Sequence, residues 1–191
     1  MIVSVEGNMS SGKTTVLEQK QLKPFSVIEN IKMWDPYLKL FYENPKRYGY
    51  LLQTVILRSQ EQMLTTKNKE YGLLLTERSP GVSFKVFVDL QYEEGNLIDL
   101  EYEALKRWYE NTWTPDIYIY LRTDPDVCFE RWKKRNRKSE ESMNLDYLKK
   151  LHQKYEDIFN HGLENKVYII DGNKDINTIE KEINHIIDQY K

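Results

Sequence analysis

Gly7-Asn8-Met9-Ser10-Ser11-Gly12-Lys13-Thr14 fits the pattern G-x-x-x-x-G-K-[ST] and follows the apolar run Ile2–Val5 after one residue, Glu6. This stretch decides the fold. A short strand, a glycine-rich loop and a helix start, in that order, give the pattern its mechanism. The glycines let the chain curl so that successive N–H groups face a phosphate. The helix N-terminus adds a favourable potential for anions. Lys13 is placed to reach the β- and γ-phosphates, and Thr14 offers a hydroxyl to Mg²⁺. With Gly at about 7% of residues, a chance match in a chain this long is on the order of one in a hundred. An ATP site is therefore expected at Gly7, Asn8, Met9, Ser10, Ser11, Gly12, Lys13 and Thr14, with Thr15 adjoining.

Four more short apolar runs follow: Phe25–Ile28, Leu73–Thr76, Ile117–Leu121 and Val167–Ile170. Helical patterns separate them, which predicts an α/β fold with a five-stranded parallel sheet flanked by helices. Asn44-Pro45 and Asp124-Pro125 each open a helix, with proline at the first helical position. Leu145, Leu148, Leu151, Tyr155, Ile158 and Phe159 hold one helical face that Gly162 is expected to stop. Ile176, Ile179, Ile183 and Ile186 form the stripe of a last helix capped by Asp175. These stripes read as packing. Right-handed crossovers bring the C-terminal ends of parallel strands to one edge, where open α/β sheets bind ligands. Each predicted strand ends there in polar or glycine-rich chemistry: Gly7 to Thr14, Glu29, Glu77-Arg78-Ser79, Arg122-Thr123-Asp124 and Asp171-Gly172-Asn173.

Composition narrows the class. The 191 residues suit one domain spanning 1–191. Lys+Arg number 28 against Asp+Glu 30, a net charge of -2, so neither nucleic acid nor an acidic membrane is an expected partner. Cys128 is the single cysteine, which excludes an internal disulfide and a cysteine-cluster zinc site and suits the cytoplasm. No apolar run approaches the ~18 residues of a membrane span. MIVSVEG lacks a basic stretch and carries Glu6 where a signal peptide would be apolar. The D-x-x-G and N-K-x-D patterns of a GTPase do not occur, although Asn173-Lys174-Asp175 mimics the second one residue short. What remains is a small phosphotransferase with a second substrate on the same edge.

Three groups carry the candidate chemistry. Glu29 follows strand two, expected beside the phosphate loop in the sheet order, where a carboxylate can take a proton from an attacking hydroxyl, although a solvated loop glutamate would look the same. Glu77-Arg78 follows strand three. The carboxylate suits Mg²⁺ and the arginine an acceptor oxygen or a phosphoryl group, while a salt bridge at a helix end is the bland alternative. Asp171 is a rival for the metal. Arg131, Lys133, Lys134, Arg135, Arg137 and Lys138 put six positive charges into eight positions, with Arg131 and Arg135 on one helix face. Such a cluster suits a lid over phosphates; a solvated helix end and nucleic-acid binding compete.

Together these residues resemble the deoxynucleoside kinase family. Glu6-Gly7-Asn8…Gly12-Lys13-Thr14-Thr15 is similar to its phosphate loop. Glu29…Trp34 resembles E-P-V-x-x-W with Asn30 for the proline, and Tyr42…Gln53 around Asn44-Pro45 resembles Y-x-D-P…Q. Glu77-Arg78-Ser79 matches E-R-S, where thymidylate kinases usually carry D-R-Y/H. Arg122 to Glu140, Tyr147 to Glu156 and Val167 to Asn173 resemble the lid, the helix after it and the last strand with its base-binding loop.

The resemblance implies a P-loop kinase fold with an arginine-rich lid and transfer of the ATP γ-phosphoryl to a deoxynucleoside 5′-hydroxyl in nucleotide salvage. Glu29 would be the base, with Arg78 beside it and Lys13 on the phosphates. Thr14 and Glu77 would hold Mg²⁺. Arg131, Arg135 and Arg137 would close on ATP, with Asp171 and Asn173 near its base. Tyr42 and Glu140, favoured over Glu141, would grip the 3′-hydroxyl. Gln53 would bond the nucleobase edge between Trp34 and Phe87. The family is usually dimeric, which implies a homodimer. Departures bear on the base. The segment between Trp34 and Tyr42 is shorter than in longer members, and Leu52 stands where the family often has Phe. Gln60 and Ser83 replace the Arg and Asp of deoxycytidine-type kinases. Ile56 opposes a purine's second ring. These substrate-binding positions predict a pyrimidine, thymidine or deoxycytidine. A thymidylate kinase and a catalytically silent nucleotide-binding module are the alternatives.

Overall fold

A computed structural model describes residues 1–64, 72–140, 143–161, 163 and 165–190 of the chain. Gly162 and Glu141, invoked above as a helix stop and as a rival to Glu140, lie outside the described residues. The sheet comprises β1 (Ile2–Glu6), β2 (Ser26–Val27), β3 (Leu74–Glu77), β4 (Ile117–Arg122) and β5 (Lys166–Asp171). Its order is β2-β3-β1-β4-β5 and every pairing is parallel. The P-loop kinase fold is thus present. β3, not β2, lies beside β1, with Val5 opposite Glu77. The acid that adjoins the phosphate loop is therefore Glu77, and Glu29 reaches it from one strand further out.

β4 shows why the sheet needs two helical layers. Its sequence IYIYLR alternates, and alternate side chains leave a strand on opposite faces. Ile117, Ile119 and Leu121 pack with Val3, Val5 and Leu75 under Val16 and Leu17 of α1 (Lys13–Leu17) and the isoleucines of α9 (Ile176–Asp188). Tyr118 and Tyr120 face the other way, onto α8 (Leu145–His161). There Tyr120 stacks on Phe159 at 4.7 Å between centroids.

One expectation changes at an element end. Phe25 lies in a 3-10 turn, Lys23–Phe25, so β2 shrinks to Ser26–Val27. Pro24 in that turn has no N–H to give a ladder, and β2 pairs only with β3. The stretch carrying Trp34 and Tyr42 is a full helix, α2 (Ile31–Glu43). Pro36 inside it disguises a stripe of Trp34, Leu38 and Phe41 that packs against α3 (Pro45–Met63). After β3 the chain runs α4 (Pro80–Ser83), a π-helical turn (Phe84–Val88) and α5 (Asp89–Glu93). Then come α6 (Asp99–Tyr109) and α7 (Pro125–Arg135).

Candidate active site

The strand ends open into a cleft of about 500 Å³ lined by Met9 through Thr15, Glu29, Trp34, Glu77, Arg78, Arg131, Arg135, Arg137 and Glu140. A smaller apolar cavity is lined by Trp34, Tyr42, Leu52, Gln53, Ile56, Ser83, Phe87 and Tyr147. Met9, Glu29, Trp34 and Arg78 border both spaces, which makes them two lobes of one site.

The phosphate loop is built by backbone geometry. Gly12 has φ 106°, a left-handed conformation that favours glycine, and Ser10 and Arg78 also lie in that region at 59° and 62°. A Cβ on Gly7 would sit 2.8 Å from the Leu121 carbonyl oxygen, so only glycine lets the loop leave β1 against β4. The Lys13 Nζ donates to the carbonyl oxygens of Gly7 at 2.8 Å and Asn8 at 2.7 Å, inside the loop's own curl. Burial, helped by Arg78, lowers its pKa to about 7.

Thr14 Oγ1 donates to Glu77 Oε1 at 2.7 Å. Burial and the neighbouring Glu29 push the Glu77 carboxyl above its usual range. A hydroxyl and a carboxylate on the cleft wall are the hard oxygen donors that Mg²⁺ prefers, so the residues fit that ion. Asp171 is exposed at the end of β5, where its Oδ1 accepts from the Asn173 N–H at 2.9 Å. Asp171 and Asn173 are not brought to the cleft wall; Lys174, Ile176 and Ile179 line it instead. Sequence reading missed these three because the isoleucines belong to the packing stripe of α9. Gly7 and Asn8 likewise shape the loop from behind its exposed wall.

Glu29 is 6% exposed. Its Oε2 accepts from Arg78 Nη1, and its Oε1 accepts from Gln60 Nε2 at 2.8 Å. Its backbone N–H approaches Glu77 Oε2 at 3.4 Å. Burial works against the Arg78 charge, yet Glu29, Tyr155 and Glu77 hold the guanidinium above its ordinary value. Arg78 also lies over the Phe87 ring, 5.4 Å from its centroid. Phe87 sits on the π-helical turn, an irregularity that sequence periodicity does not announce.

The basic cluster divides. Arg131 donates to the Ser11 and Gly172 carbonyl oxygens at 2.9 and 3.0 Å, tying α7 to the phosphate loop. Arg135 and Arg137 both pair with Glu140, which is 1% exposed. Glu140 lines the polar lobe and Tyr42 the apolar one. Burial, then Tyr147 and Glu140, push the Tyr42 hydroxyl well above its usual value. Gln53 lines the apolar lobe, and no hydrogen bond engages its amide among the described residues. Gln60, expected at the substrate, lines neither lobe. It is fully buried behind Glu29 and Ser83, to which its Nε2 donates.

The deoxynucleoside kinase family model matches residues 3–191. Thymidine kinase 2, mitochondrial, of Homo sapiens is 33% identical over 82% of this chain, which spans 63% of that protein's length. Deoxycytidine kinase 2 of Gallus gallus is 29% identical over 99% of this chain and 88% of its own. The solved deoxyadenosine kinase from M. mycoides with bound dATP shares the fold, with a TM-score of 0.83 at 22% identity over 98% of this chain and 100% of its own. The 189-residue span of the family match carries the phosphate loop, Glu29, Glu77-Arg78-Ser79 and the α7 arginines together, and this chain belongs to the deoxynucleoside kinase family, a family of phosphotransferases.

Proposed function

We propose that the chain transfers the γ-phosphoryl of ATP to the 5′-hydroxyl of a pyrimidine deoxynucleoside in nucleotide salvage. The observation that carries this reading is the position of Glu29 and Arg78 on the border between the phosphate-loop lobe and the apolar lobe. A nucleoside in the apolar lobe and a triphosphate on the loop would meet there.

Glu29 accepts the 5′-hydroxyl proton as the oxygen attacks phosphorus. Arg78, held charged, balances the negative charge that builds on the transferring group. Lys13 and the N–H groups of the loop bind the β- and γ-phosphates. Mg²⁺, held by Thr14 and Glu77, would neutralise phosphate charge. Arg131, Arg135 and Arg137 exclude water over the phosphates. Trp34 and Phe87 flank the base, Gln53 bonds its edge, and Tyr42 with Glu140 reads the 3′-hydroxyl.

The pyrimidine preference is supported by Ile56 on the wall of the apolar lobe and by the neutral Ser83 beside it. The Gln53 amide offers one acceptor and one donor group, which suits N3 and the 4-substituent of either pyrimidine. By family resemblance the enzyme works as a homodimer, and its one cysteine, free and buried, suits a reducing cytoplasm. The test is kcat/KM with ATP and Mg²⁺ for thymidine, deoxycytidine, deoxyadenosine and deoxyguanosine, with thymidylate as a fifth acceptor. Thymidine or deoxycytidine should rank first. A purine in first place overturns the base assignment, turnover of thymidylate alone overturns the nucleoside reading, and no turnover leaves a silent binding module.

A further inference from the structure

We infer that Gln60 is a positioning residue for phosphoryl transfer, its amide fixing the Glu29 carboxylate opposite Arg78. The inference rests on Glu29 acting as the base. Gln60 lies on α3, seven residues after Gln53, so the two amides share one helix face two turns apart. Gln53 reaches the apolar lobe, whereas Gln60 is buried behind it with 0% exposure.

The hydrogen bonds of Gln60 leave no N–H to offer a nucleobase. Its Nε2 donates to Glu29 Oε1 at 2.8 Å and to Ser83 Oγ at 2.7 Å, which uses both N–H groups. Its Oε1 is buried without a partner among the described residues. Turning the amide over would set that oxygen against a carboxylate oxygen, so Glu29 itself dictates the orientation. The backbone is held as well, since Trp113 Nε1 donates to the Gln60 carbonyl oxygen at 3.1 Å.

An orphaned buried acceptor is costly, and its retention needs a compensating role. The role on the page is control of Glu29. A carboxylate has about four acceptor sites. Arg78 takes one on Oε2 and Gln60 one on Oε1, which fixes the rotamer and leaves a lone pair for the hydroxyl. Gln60 supplies that restraint without adding a second cation beside the base. The Gln60-Ser83 pair thereby acts on catalysis, while only Ser83 touches the substrate lobe.

The experiment is a double-mutant cycle on steady-state kcat and nucleoside KM. Gln60→Met keeps length and removes both the donor and the orphaned acceptor. In the wild-type background it should lower kcat roughly 10- to 100-fold, the range for one hydrogen bond to a charged group, and leave KM within about twofold. In a Glu29→Gln background the same change should move kcat by less than about twofold, because the group it positions is gone. Ser83→Ala, which removes the other anchor of Nε2, should lower kcat less, again only in the Glu29 background; it covers the case in which Gln60→Met does not fold and is read on kcat alone, because Ser83 also lines the apolar lobe. Equal losses in both backgrounds would make Gln60 merely structural. A raised KM with unchanged kcat would place it at the nucleobase instead. If Glu29→Gln itself leaves kcat unchanged, the base assignment fails rather than the Gln60 link.

Discussion

The Glu29 carboxylate carries the largest burden of any single side chain in this site. It is buried, and it meets a cation on one oxygen and a neutral donor on the other. Replacing Glu29 by Gln keeps the shape and removes the basicity. We expect kcat to fall by roughly 10²- to 10⁴-fold with nucleoside KM nearly unchanged. A single-turnover rate equal to wild type would remove Glu29 from the chemistry. Arg78 illustrates a second cost at this scale. Its left-handed backbone, φ 62°, turns the chain at the end of β3, so that Ser79 caps α4 while the guanidinium swings back to Glu29.

At the scale of elements, α3 brings three lining positions to the apolar lobe: Leu52, Gln53 and Ile56. Its start is set locally. Asn44 Oδ1 accepts from the Arg47 N–H at 3.2 Å, and Pro45 occupies the first turn without a missing donor. Asn44→Ala should destabilise the protein by about 1 kcal/mol in urea unfolding. Because Asn44 is exposed and lines neither lobe, kcat/KM should stay at wild-type level. A loss of activity larger than the loss of folded protein would show that the α2–α3 corner sets the site as well as the helix. The π-helical turn works differently: its wider turn carries Phe87 to the cavity while Phe84 stacks on Tyr109 at 5.2 Å.

Across the whole molecule, the buried charge at the centre of the sheet ties stability to pH. Glu6 is the last residue of β1 and is fully buried. Its Oε1 accepts from Ser4 Oγ and Ser79 Oγ, both at 2.7 Å, and its Oε2 has no partner among the described residues. Burial pushes its pKa from 4.5 up to about 7, against the hydrogen bonds from Ser79 and Ser4 and the charges of Arg78 and Lys13. Between those values the folded protein holds a proton that the unfolded chain releases. Its contribution to stability is therefore full below about pH 4.5 and is lost as pH rises through 7. The loss is on the order of 3 kcal/mol by the free-energy equivalent of a pKa unit. Glu6→Gln cannot titrate, so the stability of wild type minus that of the variant should fall by this order between pH 5 and pH 8 in chemical denaturation. A difference that is flat across that range would show that Glu6 stays in one protonation state.

What the sequence determined by itself was local or periodic. The phosphate loop needs glycines and a lysine at fixed spacing, so eight residues sufficed to read Lys13 and Thr14. The strand positions followed from short apolar runs, and the helix starts followed from Asn44-Pro45 and Asp124-Pro125. Glu29, Glu77 and Arg78 were legible because each follows a strand, and parallel strands end on one edge. Tertiary structure alone decided the rest, because it depends on residues far apart in the chain. The order β2-β3-β1 put Glu77 rather than Glu29 against the phosphate loop. Pro36 disguised α2, whose stripe only the packing against α3 marks as a buried helix face. Gln60 meets Glu29 across 31 positions and Arg78 meets it across 49. No pattern in the sequence fixes where a side chain on a helix will end. That is set by which helix lies against which strand, and there the buried amide found the carboxylate instead of the nucleobase.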